Sequence, residues 1–122
     1  MGLPAVPYFA AKINEMELKD VFIHHVYFWL HQPDSKEDLQ ALLDGLRLLS
    51  AAPSIHQYHI GIPADTRREV IDSSYSVSWM LIFNSKQDQD SYQVDPIHLN
   101  FVEHCAHLWR KVVVYDSINA KA

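Results

Sequence analysis

The spacing of apolar positions changes period several times along the chain, and each change marks an element. In "VFIHHVYFWLH", residues 21–31, apolar and aromatic side chains crowd into a short run rich in β-branched and aromatic types, which predicts a strand. Alternation puts His24, Val26, Phe28 and Leu30 on one face and His25, Tyr27, Trp29 and His31 on the other. In "DSKEDLQALLDGLRLLSAAP", Leu39, Leu42, Leu43, Leu46 and Leu49 recur every three or four residues and predict a helix with one apolar stripe. Ser35 is its N-cap, Asp38 holds the capping-box position, and Glu37 and Asp38 favour the positive end of the helix dipole. Gly45 costs about 1 kcal/mol inside a helix, which predicts close packing at that point.

"SIHQYHIGIP" and "SSYSVSWMLIF" read as the second and third strands. The polar connection "ADTRREVID" is too long for a tight hairpin. A second helical region begins at Asn84 or Ser85 and breaks at Asp95-Pro96, because the residue before proline is driven out of helical geometry while proline suits a first helical position. Asp95 is then the N-cap of the next helix. From Pro96 the stripe Ile97, Phe101, Cys105, Leu108 continues as helix, with His98, Val102 and Trp109 beside it, and "KVVVYDS" is the fourth strand. The order is βαββαβ, without internal repeats. The expected organisation is an arm over residues 1–20, carrying a short helical turn from Ala10 to Leu18, and one domain over 21–122. Patterned sequence begins late enough that Met16 is a candidate natural start.

At 122 residues with 48% hydrophobic residues, the chain is long enough for a single core. A net charge of −5 and the lack of any Lys/Arg cluster argue against nucleic acid as a partner. The one cysteine, Cys105, excludes an internal disulfide and any CxxC site, and a cytoplasmic location is expected. There is no run of about 18 apolar residues to span a membrane, the opening lacks a signal-peptide pattern, and Val6 stands where myristoylation needs Ser or Thr.

The strand "HHVYFWL", the leucine helix ending in "AAPSI", the strand "YHIG", and above all "YQVDPIHLNFV" followed by "LWRKVVVYDS" resemble the stress-responsive A/B barrel (Dabb) family over about residues 22–117. The resemblance implies an α+β, ferredoxin-like fold with a four-stranded antiparallel sheet that pairs with a second copy into a dimeric α+β barrel. The strand pattern agrees: both faces of the first strand are apolar or aromatic, and helices on one side leave the other for a two-fold partner.

The family signature near the second helix is a tyrosine followed by His-Pro-x-His. Tyr92, Pro96, His98 and the apolar Phe101 match it, while Asp95 replaces the first histidine. The first-strand histidine of the family corresponds best to His24, with His25 adjacent. In the plant polyketide cyclase branch the matching tyrosine and histidine act on a poly-ketone held between sheet and helices, which makes Tyr92 and His98 catalytic candidates. His24, Val26, Phe28, Phe101 and Trp109 are the candidate ligand-binding positions.

The expected function is a homodimer that binds a small apolar or carbonyl-bearing molecule in this pocket, with no cofactor and no metal. Two alternatives stay open: a cofactor-free cyclase, lyase or monooxygenase-like enzyme using Tyr92 and His98, and a structural stress-response dimer without ligand. In one continuous helix Tyr92 and His98 would stand about 9 Å apart along the axis on different faces. The Asp95-Pro96 break lets both turn into one pocket. His104 and His107 share a helix face, whereas His56 and His59 fall on opposite faces of a strand, and these histidines are expected at the surface rather than on a metal.

Overall fold

A computed structural model describes residues 15–121. The elements run β1 (Phe22–Leu30), α1 (Lys36–Leu49), β2 (Gln57–Gly61), β3 (Val77–Phe83), α2 (Lys86–Val94), α3 (Pro96–Cys105), a 3₁₀ turn (Ala106–Leu108) and β4 (Trp109–Ile118). The four strands form one sheet in the order β2-β3-β1-β4, and every neighbouring pair is antiparallel. This is the ferredoxin-like α+β arrangement, with the helices on one face. Of the expected arm, residues 1–14 lie outside the described residues; Glu15 and Met16 are helical. Asn119 clasps the end of that segment to the sheet by donating to the Leu18 carbonyl and accepting from the Val21 N–H.

Local sequence accounts for the helix boundaries. Ser35 Oγ accepts from the Asp38 N–H at 3.1 Å, and Ser85 Oγ accepts from the Asp88 N–H at 3.1 Å. Asp95 holds extended geometry (φ −65°, ψ 135°), as a residue before proline should, and its carboxylate accepts from the Ile97 N–H at 2.8 Å. One residue thus ends α2 and caps α3.

The core lies between sheet and helices. Phe22, Val26, Phe28 and Leu30 of β1 pack with Val77, Trp79, Leu81 and Phe83 of β3 beneath Leu42, Leu46 and Leu49 of α1 and Phe101 of α3. Gly45 of α1 faces α3 so closely that a Cβ there would meet Cys105 Sγ at 2.6 Å, the close packing its placement predicts. The opposite face of β1 carries Ile23, His25, Tyr27 and Trp29, which remain half-buried.

Two elements differ from the sequence reading. The helical stripe does not run to Trp109: α3 ends at Cys105, and Trp109 opens β4 opposite Leu30. The cause is ambiguity of period, since Cys105, Leu108 and Trp109 keep helical spacing across the 3₁₀ turn. Ile97 sits at the edge of its stripe, 36% exposed, because only Phe101, Cys105 and Leu108 reach the core.

Candidate functional site

The strand alternation of β1 aims His24, Val26 and Phe28 at the helices, and the α2–α3 break aims Tyr92 and His98 back at the strand. Between them lies a cavity of about 180 Å³. All seven side chains singled out from the sequence line it: His24, Val26, Phe28, Tyr92, His98, Phe101 and Trp109. Trp79 and Leu49 complete its floor, and Val102, Val112 and Val114, each about two-fifths exposed, surround its mouth at the β4 edge. Phe28, Phe101 and Trp109 form an aromatic wall, with Phe28 4.9 Å and Phe101 5.8 Å from Trp109 between ring centroids.

The other end is polar. The Tyr92 and His98 rings lie 4.7 Å apart, and His24 approaches Tyr92 from the strand at 6.1 Å. Tyr92 is almost wholly buried, and Trp79 Nε1–H donates to its hydroxyl oxygen at 3.3 Å. With that oxygen accepting, the phenolic proton remains available to a ligand. Burial pushes the phenol up to about 12, so Tyr92 is a neutral donor at physiological pH.

His98 Nδ1 lies 3.2 Å from the Gln93 carbonyl oxygen. A carbonyl only accepts, so Nδ1 carries the proton and Nε2 keeps its lone pair. Burial holds His98 below the ordinary imidazole range, outweighing the Gln93 hydrogen bond that favours charge, and His24 nearby acts in the same direction as burial. His98 is therefore a neutral imidazole with a free acceptor nitrogen, suited to receiving a proton.

Three contributors escaped sequence reasoning. Asp116 Oδ1 lies 2.6 Å from His24 Nδ1, Trp79 binds the Tyr92 oxygen, and the Gln93 carbonyl sets the His98 tautomer. A signal for Asp116 existed: in "KVVVYDS" it shares the parity of Val112 and Val114, so an acid continues an apolar face.

The remaining histidines lie elsewhere. His25 bonds Ser78 Oγ at 3.2 Å on the outer sheet face, so the first-strand residue in the cavity is His24. His104 Nδ1 bonds its own helix at the Asn100 carbonyl, and His56, His59 and His107 are exposed. Among the described residues no group of three or more His, Cys, Asp or Glu could hold a metal ion, and no helix is long and apolar enough to cross a membrane.

Comparison with solved structures places this fold among known ones. A Dabb family protein with a ferredoxin-like fold from Mesorhizobium loti superposes with a TM-score of 0.68 at 22% identity, over 83% of this chain and 98% of that one. A hydroxynitrile lyase from Passiflora edulis gives 0.69 at 18% identity, over 86% and 98%. A dimeric protein of unknown function from Bacteroides fragilis, also ferredoxin-like, gives 0.63 at 14% identity, over 84% and 100%. No curated protein matches the chain by sequence. Residues 22–119 match the Stress responsive A/B Barrel Domain, and the chain belongs to that family, Dabb.

Proposed function

We propose that the protein is a homodimer whose protomers each bind a small, largely apolar, carbonyl-bearing molecule between sheet and helices. The observation that carries this reading is the cavity itself. Aromatic and aliphatic side chains wall it, while one phenol and two imidazoles gather at one end. That is the composition of a small-molecule site, in which apolar surface supplies affinity and a few polar groups fix orientation. At about 180 Å³ the space is below the roughly 300–1,000 Å³ of drug-sized pockets, which favours a compact ligand such as an aryl ketone. The Tyr92 hydroxyl donates to the carbonyl oxygen, and the ring packs against Phe28, Phe101 and Trp109.

The contact between Tyr92 and His98 favours a second reading, cofactor-free catalysis. Tyr92 would stabilise negative charge on a carbonyl oxygen while His98 Nε2 receives a proton. The Passiflora relative in fold is a hydroxynitrile lyase, which supports the compatibility of this scaffold with chemistry at a small polar site.

Titration of the full chain with acetophenone tests the binding reading. A ligand that binds only the folded state raises the melting midpoint as its concentration rises. The expected result is such a rise, with chemical-shift changes centred on Tyr92, His98 and Trp109. If acetophenone and related small ketones leave both midpoint and resonances unmoved, the binding reading falls.

A further inference from the structure

The sheet face turned away from the helices carries a row of side chains that crosses all four strands. Tyr115 of β4 stands opposite His25 of β1, His25 opposite Met80 of β3, and Met80 opposite His59 of β2. His25 is half-buried between two hydroxyls. Its Nε2 lies 3.2 Å from Ser78 Oγ and its Nδ1 3.4 Å from the Tyr27 oxygen, and the Tyr27 ring stacks on the imidazole. Gly61 gives His59 its place beside this pair, since a Cβ there would meet His59 Cε1 at 3.0 Å and Ser78 Oγ at 3.6 Å. Two imidazoles thus flank one serine, and no carboxylate answers either of them. Among the described residues the one histidine paired with a carboxylate is His24, on the opposite face. The other ionisable groups around the row are His56 at the β2 edge, beside Met80 and Ile82, and the phenols of Tyr27, Tyr75 and Tyr115. At the far end Asp72 lines a hollow with Tyr27 and Trp29, and the Lys111 ammonium rests over the Trp29 ring. Burial holds His25 below the ordinary imidazole range, and His59 and His24 add to it by repulsion.

We infer that protonation of His25 and His59 separates the homodimer, which makes the outer sheet face a pH-sensitive joint between two copies of this chain. This rests on the proposed homodimer and deepens it by naming its regulation. A two-fold axis doubles whatever one face presents. Near neutral pH each protomer brings an uncharged histidine pair and one Lys111. In acid each brings two imidazolium ions as well, and the partner sets the same charges against them. Docking also takes more water from His25, which a single protomer already holds half out of solvent. Loss of water and like charge both favour the neutral ring, so the separated chain binds protons more readily than the dimer and dissociation takes protons up. Above the ordinary imidazole value of about 6.5 both states are neutral and the dimer has its full strength. As pH falls below it the separated chain charges first, and association weakens. With one such histidine in each protomer, the dissociation constant rises by up to about a hundredfold per pH unit over the interval in which the two states differ. The phenols stay neutral throughout this range. Hydrogen bonds from Ser74 hold the Asp72 carboxyl below its usual range, so its charge stays constant. His24 and His98 face the cavity and not the partner.

Sedimentation of the full chain over a concentration series, at about pH 7.5 and about pH 5.5 and one ionic strength, tests the joint, with far-ultraviolet circular dichroism to follow the fold. The wild-type dissociation constant is expected to rise about tenfold or more between the two conditions while the fold is retained. In the double variant His25→Gln, His59→Gln the side chains stay polar but cannot charge, and the rise should shrink to about twofold or less. Should that variant fail to pair at the higher pH, the ring resonances of wild-type His25 decide, because His25 must take its proton at a higher pH in dilute monomer than in concentrated dimer. Equal titration at the two concentrations overturns the joint. So does an equal wild-type dissociation constant at both pH values, an undiminished rise in the double variant, or dissociation that occurs only with loss of the fold. A wild type that is a folded monomer at the higher pH removes the homodimer and the joint together, whereas a dimer indifferent to pH removes the joint alone.

Discussion

Tyr92 carries two opposing obligations, and each has its own pH range. Its oxygen is the acceptor for the Trp79 N–H, at 3.3 Å between two almost wholly buried side chains. Tyr92→Phe leaves that buried donor without a partner, which costs about 1–3 kcal/mol. The same burial raises the phenol from about 10 to about 12. Below pH 10 both folded and unfolded chains hold the proton, and the group gives no pH dependence. Between about 10 and 12 the unfolded chain ionises first, so it binds fewer protons than the folded one and stability falls as pH rises. Two units correspond to about 2–3 kcal/mol. Tyr92→Phe lacks this loss. Urea unfolding is therefore expected to show the variant weaker than wild type at pH 7 and the difference shrinking towards zero by about pH 11.5. A constant gap across that range would mean that Tyr92 ionises as readily folded as unfolded.

At the scale of elements, the contact of α1 with α3 fixes the height of the roof over the pocket. Gly45 allows it, and an added Cβ would meet Cys105 Sγ at 2.6 Å and Phe101 at 3.3 Å. Alanine improves helix propensity by about 1 kcal/mol, whereas overpacking a close contact costs about 1–3 kcal/mol, so Gly45→Ala should destabilise modestly and disturb Phe101 at the cavity wall. In a double-mutant cycle, Cys105→Ala should cost less in the Gly45→Ala background than in wild type, because removing Sγ makes room for the new methyl. Additive losses would place the strain elsewhere. These helices were legible because their signals are local: the Ser35 and Ser85 caps, the Asp95-Pro96 break and the leucine stripe each involve residues within a few positions. The Trp109 misassignment shows where local signals fail, since a three-residue 3₁₀ turn preserves helical spacing while the chain has already changed direction. The candidate side chains were legible for the same reason, through strand parity and one helix break. Their partners were not: His24–Asp116 and Trp79–Tyr92 depend on which strands and helices lie adjacent, and spacing within an element does not encode that.

For the whole molecule, the unresolved demand is the second face of the sheet. The helices cover one side, and on the other Tyr27 stacks on His25 at 4.4 Å, meets Tyr75 at 4.9 Å and faces Tyr115 at 6.1 Å. Ile23, Trp29, Met80 and Ile82 share that face, and Lys111 lies 4.6 Å over the Trp29 ring. So much aromatic surface in one patch marks an interaction face, and a sheet face repeated by two-fold symmetry is self-complementary. Tyr27 occupies its middle, between Ser78 of β3 and Val113 of β4, where a central aromatic anchor contributes most. Tyr27→Glu should weaken self-association by about a hundredfold or more, because it removes the anchor and sets two carboxylates against each other across the two-fold. Sedimentation at micromolar concentration should then show dimer for the wild type and monomer for the variant. The cavity lies on the opposite side of the sheet, between it and the helices. Acetophenone binding should therefore survive in the Tyr27→Glu monomer, with the melting midpoint lowered but still rising on titration. A wild type that sediments as a folded monomer would remove the barrel without touching the pocket, and loss of ketone binding on monomerisation would mean that the partner shapes the site.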